Sequence, residues 1–200
     1  MKSWKKIILG FTAAIVISYI ILVIARIPVM MEKQKTVAQV AKIHATKLTL
    51  DDVMGKNLPG KPGAEADKTV QGIDANNNGI RDDVELAIFA AYPNSAKTRA
   101  VLLQYALALQ MEMTQPIVNT ETVVAVTQEI SRANMCLGVN VSRDDLSKFT
   151  DITDGYINFV KNLQINNQER DLAESEFYKK MSSYADLPYG CDIDTTALPN

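Results

Sequence analysis

The chain's densest set of oxygen side chains is Asp74-Ala-Asn76-Asn-Asn78-Gly79-Ile80-Arg-Asp82-Asp83-Val-Glu85. Counted from Asp74, oxygen-bearing side chains stand at the first, third, fifth, ninth and twelfth places, with glycine at the sixth. That spacing suits a hard cation, which takes roughly six to eight oxygens at about 2.3–2.6 Å. Asp74, Asn76, Asn78 and Asp82 would offer side-chain oxygens, Ile80 its backbone carbonyl, and Glu85 both carboxylate oxygens from one turn into the helix that follows. Gly79 permits the positive φ of a sharp turn. The expected ion is Ca²⁺, because Mg²⁺ requires a smaller and stricter octahedron. A metal-free turn whose Asn and Asp side chains simply cap the helix satisfies the same residues. The placement of Asp82 and Asp83 in the first helical turn is favourable either way.

This twelve-residue loop resembles the EF-hand loop, and more closely the loops of thrombospondin type 3 repeats and of calcium-binding repeats in bacterial surface adhesins. It departs from the EF-hand in two ways. Arg81 occupies the eighth place, where an aliphatic residue normally pairs two loops, and the preceding segment is rich in Gly and Pro rather than helical. The resemblance therefore implies a lone structural ion and not a paired switch. With three ligand carboxylates, the implied affinity is that of extracellular modules, about 10⁻⁴–10⁻³ M.

The other feature with a physical assignment is the amino terminus. Lys2, Lys5 and Lys6 precede an apolar run over 7–27 that is uncharged from Ile7 to Ala25, nineteen residues. A helix needs about 20 apolar residues to cross the hydrocarbon core, whereas the apolar part of a signal peptide has about 7–15. The run reads as an uncleaved signal-anchor. Cleavage after Val23-Ile24-Ala25, releasing a secreted or periplasmic protein, is the rival reading. The short basic tail, residues 1–6, places the amino terminus in the cytoplasm and the rest outside it, periplasmic or extracellular, although the other flank carries five Lys/Arg by residue 47. Gly10, Ala14 and Ser18 recur at every fourth place, a spacing that lets two membrane helices approach closely or that arises by chance.

Charge divides the chain. Residues 1–47 carry eight Lys/Arg and one Glu, net +7, while residues 48–200 carry thirteen and twenty-two, net −9. An acidic folded part repels nucleic acid and attracts cations, so the expected partners are membrane lipid and an unknown envelope protein. Cys136 and Cys191 fit no zinc pattern. Outside the cytosol they are expected to form a disulfide.

Between these features the pattern is helical. Residues 28–54 read as a juxtamembrane helical stalk with Pro28 at the membrane exit and a solvated His44. Residues 55–69, with Gly55, Pro59, Gly60, Pro62 and Gly63, read as a linker. The domain spans 70–187, opening with the loop at 74–85. Four helices follow: one from the loop to before Pro93, one capped by Asn94 or Ser95 and ending near Met113, one from Asn119 to Leu137, and one capped by Ser142 with Asp145 three residues on. In the last, Leu146, Phe149, Ile152, Tyr156, Phe159, Val160 and Leu163 fall on one face. A fifth runs over 167–185 with Leu172, Phe177, Met181 and Tyr184 inward. Residues 188–200 form an irregular tail tied by Cys191.

The expected fold is all-α: an N-terminal transmembrane helix, a linker and a small four- to five-helix bundle. His44 is the single histidine, which excludes histidine triads and clusters within the chain. No phosphate-cradling glycine loop, serine elbow or zinc helix occurs. The expectation is a binding or scaffolding protein of the envelope, not an enzyme. A calcium-responsive sensor and a carboxylate hydrolase using Asp82 and Glu85 are the alternatives.

Overall fold

The computed structural model describes residues 2–185 and 190–200, with side chains from Trp4. The boundary expected between 187 and 188 lies outside the described residues. Within them the fold is all-helical, with no strand. Seven α-helices follow in order: α1 Lys2–Ala45, α2 Leu50–Met54, α3 Asp82–Ala91, α4 Ala96–Thr114, α5 Thr120–Leu137, α6 Leu146–Gln164 and α7 Gln168–Tyr178. Short 3₁₀ turns lie at Gly63–Asp67 and Thr195–Ala197.

The helix starts follow from local chemistry. Thr49 and Asp52 form a reciprocal capping box at α2. Ser95 accepts from Thr98 N, Asp145 from Lys148 N and Asn167 from Arg170 N. Asn119 caps α5 and is held in turn by the Thr122 hydroxyl. Each occupies one of the orphan amide groups that a helix start leaves unpaired.

The centre of the domain is α4. Instead of one apolar stripe it is buried around its whole circumference, from Ala100, Leu102 and Leu103 to Ala106, Leu107 and Leu109. A helix enclosed on all sides behaves this way, and α4 touches α2, α3, α5, α6 and α7. The α6 helix lies across it with only Val160 and Gln164 fully buried. Leu146, expected on the inward face, is exposed, because it stands at the outer end of α6. Among the residues expected inward on the last helix, only Phe177 is buried. Leu172 is exposed, and α7 stops at Tyr178, before Met181 and Tyr184, which are also exposed.

Three features of the amino-terminal third differ from expectation. First, α1 does not break at Pro28 but runs unbroken from Lys2 to Ala45. Proline removes one backbone donor from a helix, and here the turns on either side carry it through. Every side chain from Trp4 to Lys35 is exposed, and the helix is long and apolar enough to cross a membrane. Second, the stalk does not stand clear of the domain. Thr36 and Ile43 are buried against it, Gln39 bonds Gln115, and Asn119 donates to the Thr36 hydroxyl. His44 is not simply solvated: Nδ1 lies 2.8 Å from Glu129 Oε1. Third, the Gly/Pro-rich segment 55–69 is pinned. The fully buried Arg170 donates to the carbonyls of Ala66, Thr69 and Val70 and pairs with Asp67.

Cys136 and Cys191 are joined as a disulfide. The bond holds the tail against α5, and the tail then closes two other parts of the fold. Pro199 O accepts from Ala96 N and Lys97 N at the start of α4. Asp192, beside the bridge, accepts from Leu48 N and pairs with Arg132. Glu129, on α5, is met by Lys47, His44 and Arg132. Burial alone would raise its pKa, but these three donors outweigh that and hold it below the ordinary glutamate value. The end of α1, the face of α5 and the disulfide-bound tail thus meet in one buried ionic junction.

Candidate metal centre

The loop over 74–85 is shaped by its own side chains. Asp74 accepts the amides of Asn78 at 3.1 Å and Gly79 at 2.9 Å, one on each carboxylate oxygen. Asn76 Oδ1 also accepts Asn78 N at 3.3 Å, and Asn78 Oδ1 accepts Ile80 N at 2.9 Å. Asp82 reaches back to Ala75 N at 3.0 Å, while its own amide donates to Ile73 O. These bonds wind residues 74–82 into a tight ring. Two positive φ angles close it, at Asn77 (58°) and Gly79 (84°). At Gly79 a side chain would also collide with Leu107, 2.7 Å from an added Cβ.

Two carboxylates face the ring from α3. Asp82 and Glu85 are each 1 % exposed. Burial raises both pKa values, that of Glu85 to about 7, against the opposing effect of the Asn76 and Asn78 amides beside it. Asn76 Nδ2 donates to Glu85 Oε2 at 3.0 Å and to Asn57 O at 3.1 Å. Asn78 Nδ2 is buried without a well-aligned acceptor. The ring therefore brings Asn76, Asn78 and Glu85 together, with Asp74 and Asp82 adding mutual repulsion. It does not gather the carboxylates as a preformed set: among the described residues, no group of three or more His, Cys, Asp or Glu side chains is arranged to hold a metal. Among the described residues no side-chain cation pairs with Asp82 or Glu85, and Arg81 pairs with Asp83 instead.

Arg81 explains how the loop is mounted. Its guanidinium is fully buried, pairs with Asp83 and donates to the carbonyls of Leu163 and Gln164 at the end of α6. A cation at a helix carboxyl terminus is favourable. Its stem fills the space beside Gly72, where φ is +65° and an added Cβ would lie 2.3 Å from Arg81 Cδ. Ile80, also fully buried, inserts into the core. The basic residue at the eighth place was the available sequence signal for this contact, but its acceptors lie more than eighty residues away. Sequence reasoning also did not find Asn57, whose carbonyl accepts from Asn76 across the Gly/Pro-rich segment that reads as a linker.

No family model, curated protein or solved structure matches the chain.

Proposed function

We propose that this protein is anchored in a membrane by α1, with its amino terminus cytoplasmic and its acidic helical domain outside the cytosol. In this reading the 74–85 loop holds one structural Ca²⁺, and the domain serves as a binding or scaffolding component of the cell envelope. The observation that carries the calcium reading is the pair of buried carboxylates, Asp82 and Glu85, aimed into an Asx-wound ring without a neighbouring side-chain cation. Leaving a carboxylate ionised in such a place costs free energy unless it is paired or bound to metal. A divalent ion would provide that charge. Asp74, Asn76, Asn78, Asp82 and Glu85 would supply side-chain oxygens, and Ile80 its carbonyl. Cation binding requires the Asn76 oxygen to face the centre, where its nitrogen now faces Glu85, so the ion and the present amide orientation are alternatives.

The ion's role would be that of a staple. At about 1 mM Ca²⁺ and a dissociation constant of about 0.1 mM, linkage contributes roughly 1.4 kcal/mol. The loop is mounted on α6 through Arg81 and on the core through Ile80, which favours local tightening over the opening of an apolar groove. The disulfide fits an oxidising compartment.

Calorimetric titration of Ca²⁺ into the full chain in lipid or detergent, beside Asp74→Ala, tests the reading. Binding in the parent and none in the variant is expected, and a parent that takes up no Ca²⁺ would remove the metal from the proposal. A fragment beginning at residue 48 is unsuitable because it lacks the buried Thr36 and Ile43. Intact mass of the mature chain tests the anchor, since loss of residues 1–25 would replace anchoring with release.

A further inference from the structure

The helix α1 has two faces after it leaves the apolar run. Thr36, Val40 and Ile43 meet the domain, while Met30, Gln34, Val37 and Ala41 point elsewhere and are all exposed, Met30 by 61 % and Val37 by 59 %. With about 100° per residue, the two sets lie about 120° apart around the helix. A shallow groove runs along the second set, flanked by Lys33 and Ala38. Three of these four exposed side chains are apolar, and none of the four is buried against the domain.

Their spacing is 4, 3, 4, which is the heptad step of a helix seam. Continued backward, the same phase passes through Leu9, Val16 and Val23 in step with Met30 and Val37. The alternating positions are Ala13, Ile20 and Ile27 in step with Gln34 and Ala41. Inside the apolar run almost any phase is apolar, so the water-facing half sets the choice. From Leu9 to Ala41 the seam contains one strongly polar residue, Gln34. Pro28 falls off it, next to Ile27 on the outer side.

We propose that this protein is a parallel homodimer joined along the Leu9–Ala41 seam, with Gln34 paired to Gln34 of the second copy. The proposal rests on the membrane-anchor reading of α1. Four observations select a second copy as the occupant. A seam of 3.5-residue period fits a helix of the same period. Copies inserted in one membrane are parallel and at one axial level, so each seam residue meets its own counterpart. The domain's contacts lie about 120° around α1 from the seam, and of the positions beside the seam only Val40 packs on the domain. The positions flanking the exposed seam are Met31, Lys33, Ala38 and Val40, so Lys33 would face Ala38 and no like charges are forced together. A polar residue at one seam position fixes register and number of strands, which is the role assigned to Gln34. The two heptads outside the membrane continue into nearly three more within the apolar run, so the whole seam exceeds the about three to four heptads by which such a pattern is recognised. None of Gly10, Ala14 and Ser18 is a seam position, although Gly10 flanks the seam beside Leu9.

Single cysteines placed in the full chain in lipid vesicles test this, because the native pair is already bridged and only a two-fold contact can join identical positions. Met30→Cys, Gln34→Cys, Val37→Cys and Ala41→Cys should each give a covalent dimer on mild oxidation, several-fold above Glu32→Cys and Lys35→Cys. Adding Val37→Glu should depress cross-linking through Met30→Cys while leaving the domain's unfolding midpoint unchanged. Equal or absent cross-linking at all positions in full-length, membrane-bound chain overturns the dimer alone. A maximum at Gly10→Cys, Ala14→Cys or Ser18→Cys overturns it in favour of the other face. Recovery of a soluble chain cleaved near Ala25 overturns both the dimer and the anchor.

Discussion

Replacing Glu85 by Gln separates the cost of a buried carboxylate from the gain of an ion. Glu85 is 1 % exposed, and burial holds its proton up to about pH 7 instead of the ordinary 4.5. In that window the folded chain retains a proton that the unfolded chain has released. Stability therefore falls as pH rises through it, and the loss is complete above the folded pKa. At 1.36 kcal/mol per pH unit the loss is roughly 3 kcal/mol for the metal-free protein. Calcium, bound to the ionised form, should return about 1.4 kcal/mol at about 1 mM above that pH, and progressively less below it as the proton competes. Urea unfolding followed by circular dichroism, at about pH 5.5 and about pH 8, with chelator or with calcium, measures all four combinations. Glu85→Gln should show a shallower pH dependence than the parent and no calcium gain. Equal pH dependence in parent and variant, or a calcium gain retained in the variant, would refute the reasoning.

Glu112 offers a second titration, remote from the loop. It is buried on α4 with neither carboxylate oxygen partnered. Burial first, and then Glu174, raise its pKa to about 8, against Lys161. By the same sign, stability should fall as pH rises between its ordinary 4.5 and about 8, by roughly 5 kcal/mol in total. Glu112→Gln should be the more stable protein above that range, by that amount less about 1–3 kcal/mol for an unpartnered amide. Denaturation midpoints at alkaline pH check it. Cys191→Ser should lower stability by roughly 4 kcal/mol on the chain-entropy account of a 55-residue loop. Hydrogen exchange should rise first at Ala96 and Lys97, whose amides are held by Pro199.

The elements that sequence reading located are those specified within a few residues. Ser95, Asn119, Asp145 and Asn167 cap helices through amides two or three places on, so the starts of α4 to α7 were legible to within a few residues, although at α6 the cap is Asp145 and not the expected Ser142, whose hydroxyl bonds Asp144 instead. So was the loop ring, since Asp74 meets Asn78 and Gly79. The disulfide followed from two cysteines and a compartment. What escaped is specified by distance. His44 meets Glu129, Arg81 meets the end of α6, and Arg170 pins a segment about a hundred residues earlier. His44 reads as a solvated side chain and residues 55–69 as a linker, because each long-range partner is brought near only by the packing around α4. The division of span from stalk placed at Pro28 leaves no mark on the helix for a related reason. A proline costs one bond, and a long helix carries that cost where no competing turn is encoded.

In the anchored form proposed above, the continuity of α1 sets a fixed geometry between bilayer and domain. Eight residues separate Pro28 from the first buried contact at Thr36, about 12 Å of helix at 1.5 Å each. With no hinge between them, the domain has a set height and a set azimuth above the lipid. Inserting one residue in this interval would lift it by about 1.5 Å and turn it by about 100°. In that anchored form the eight-residue interval works as a ruler and a compass, deciding how far from the bilayer and on which bearing the domain presents its surface.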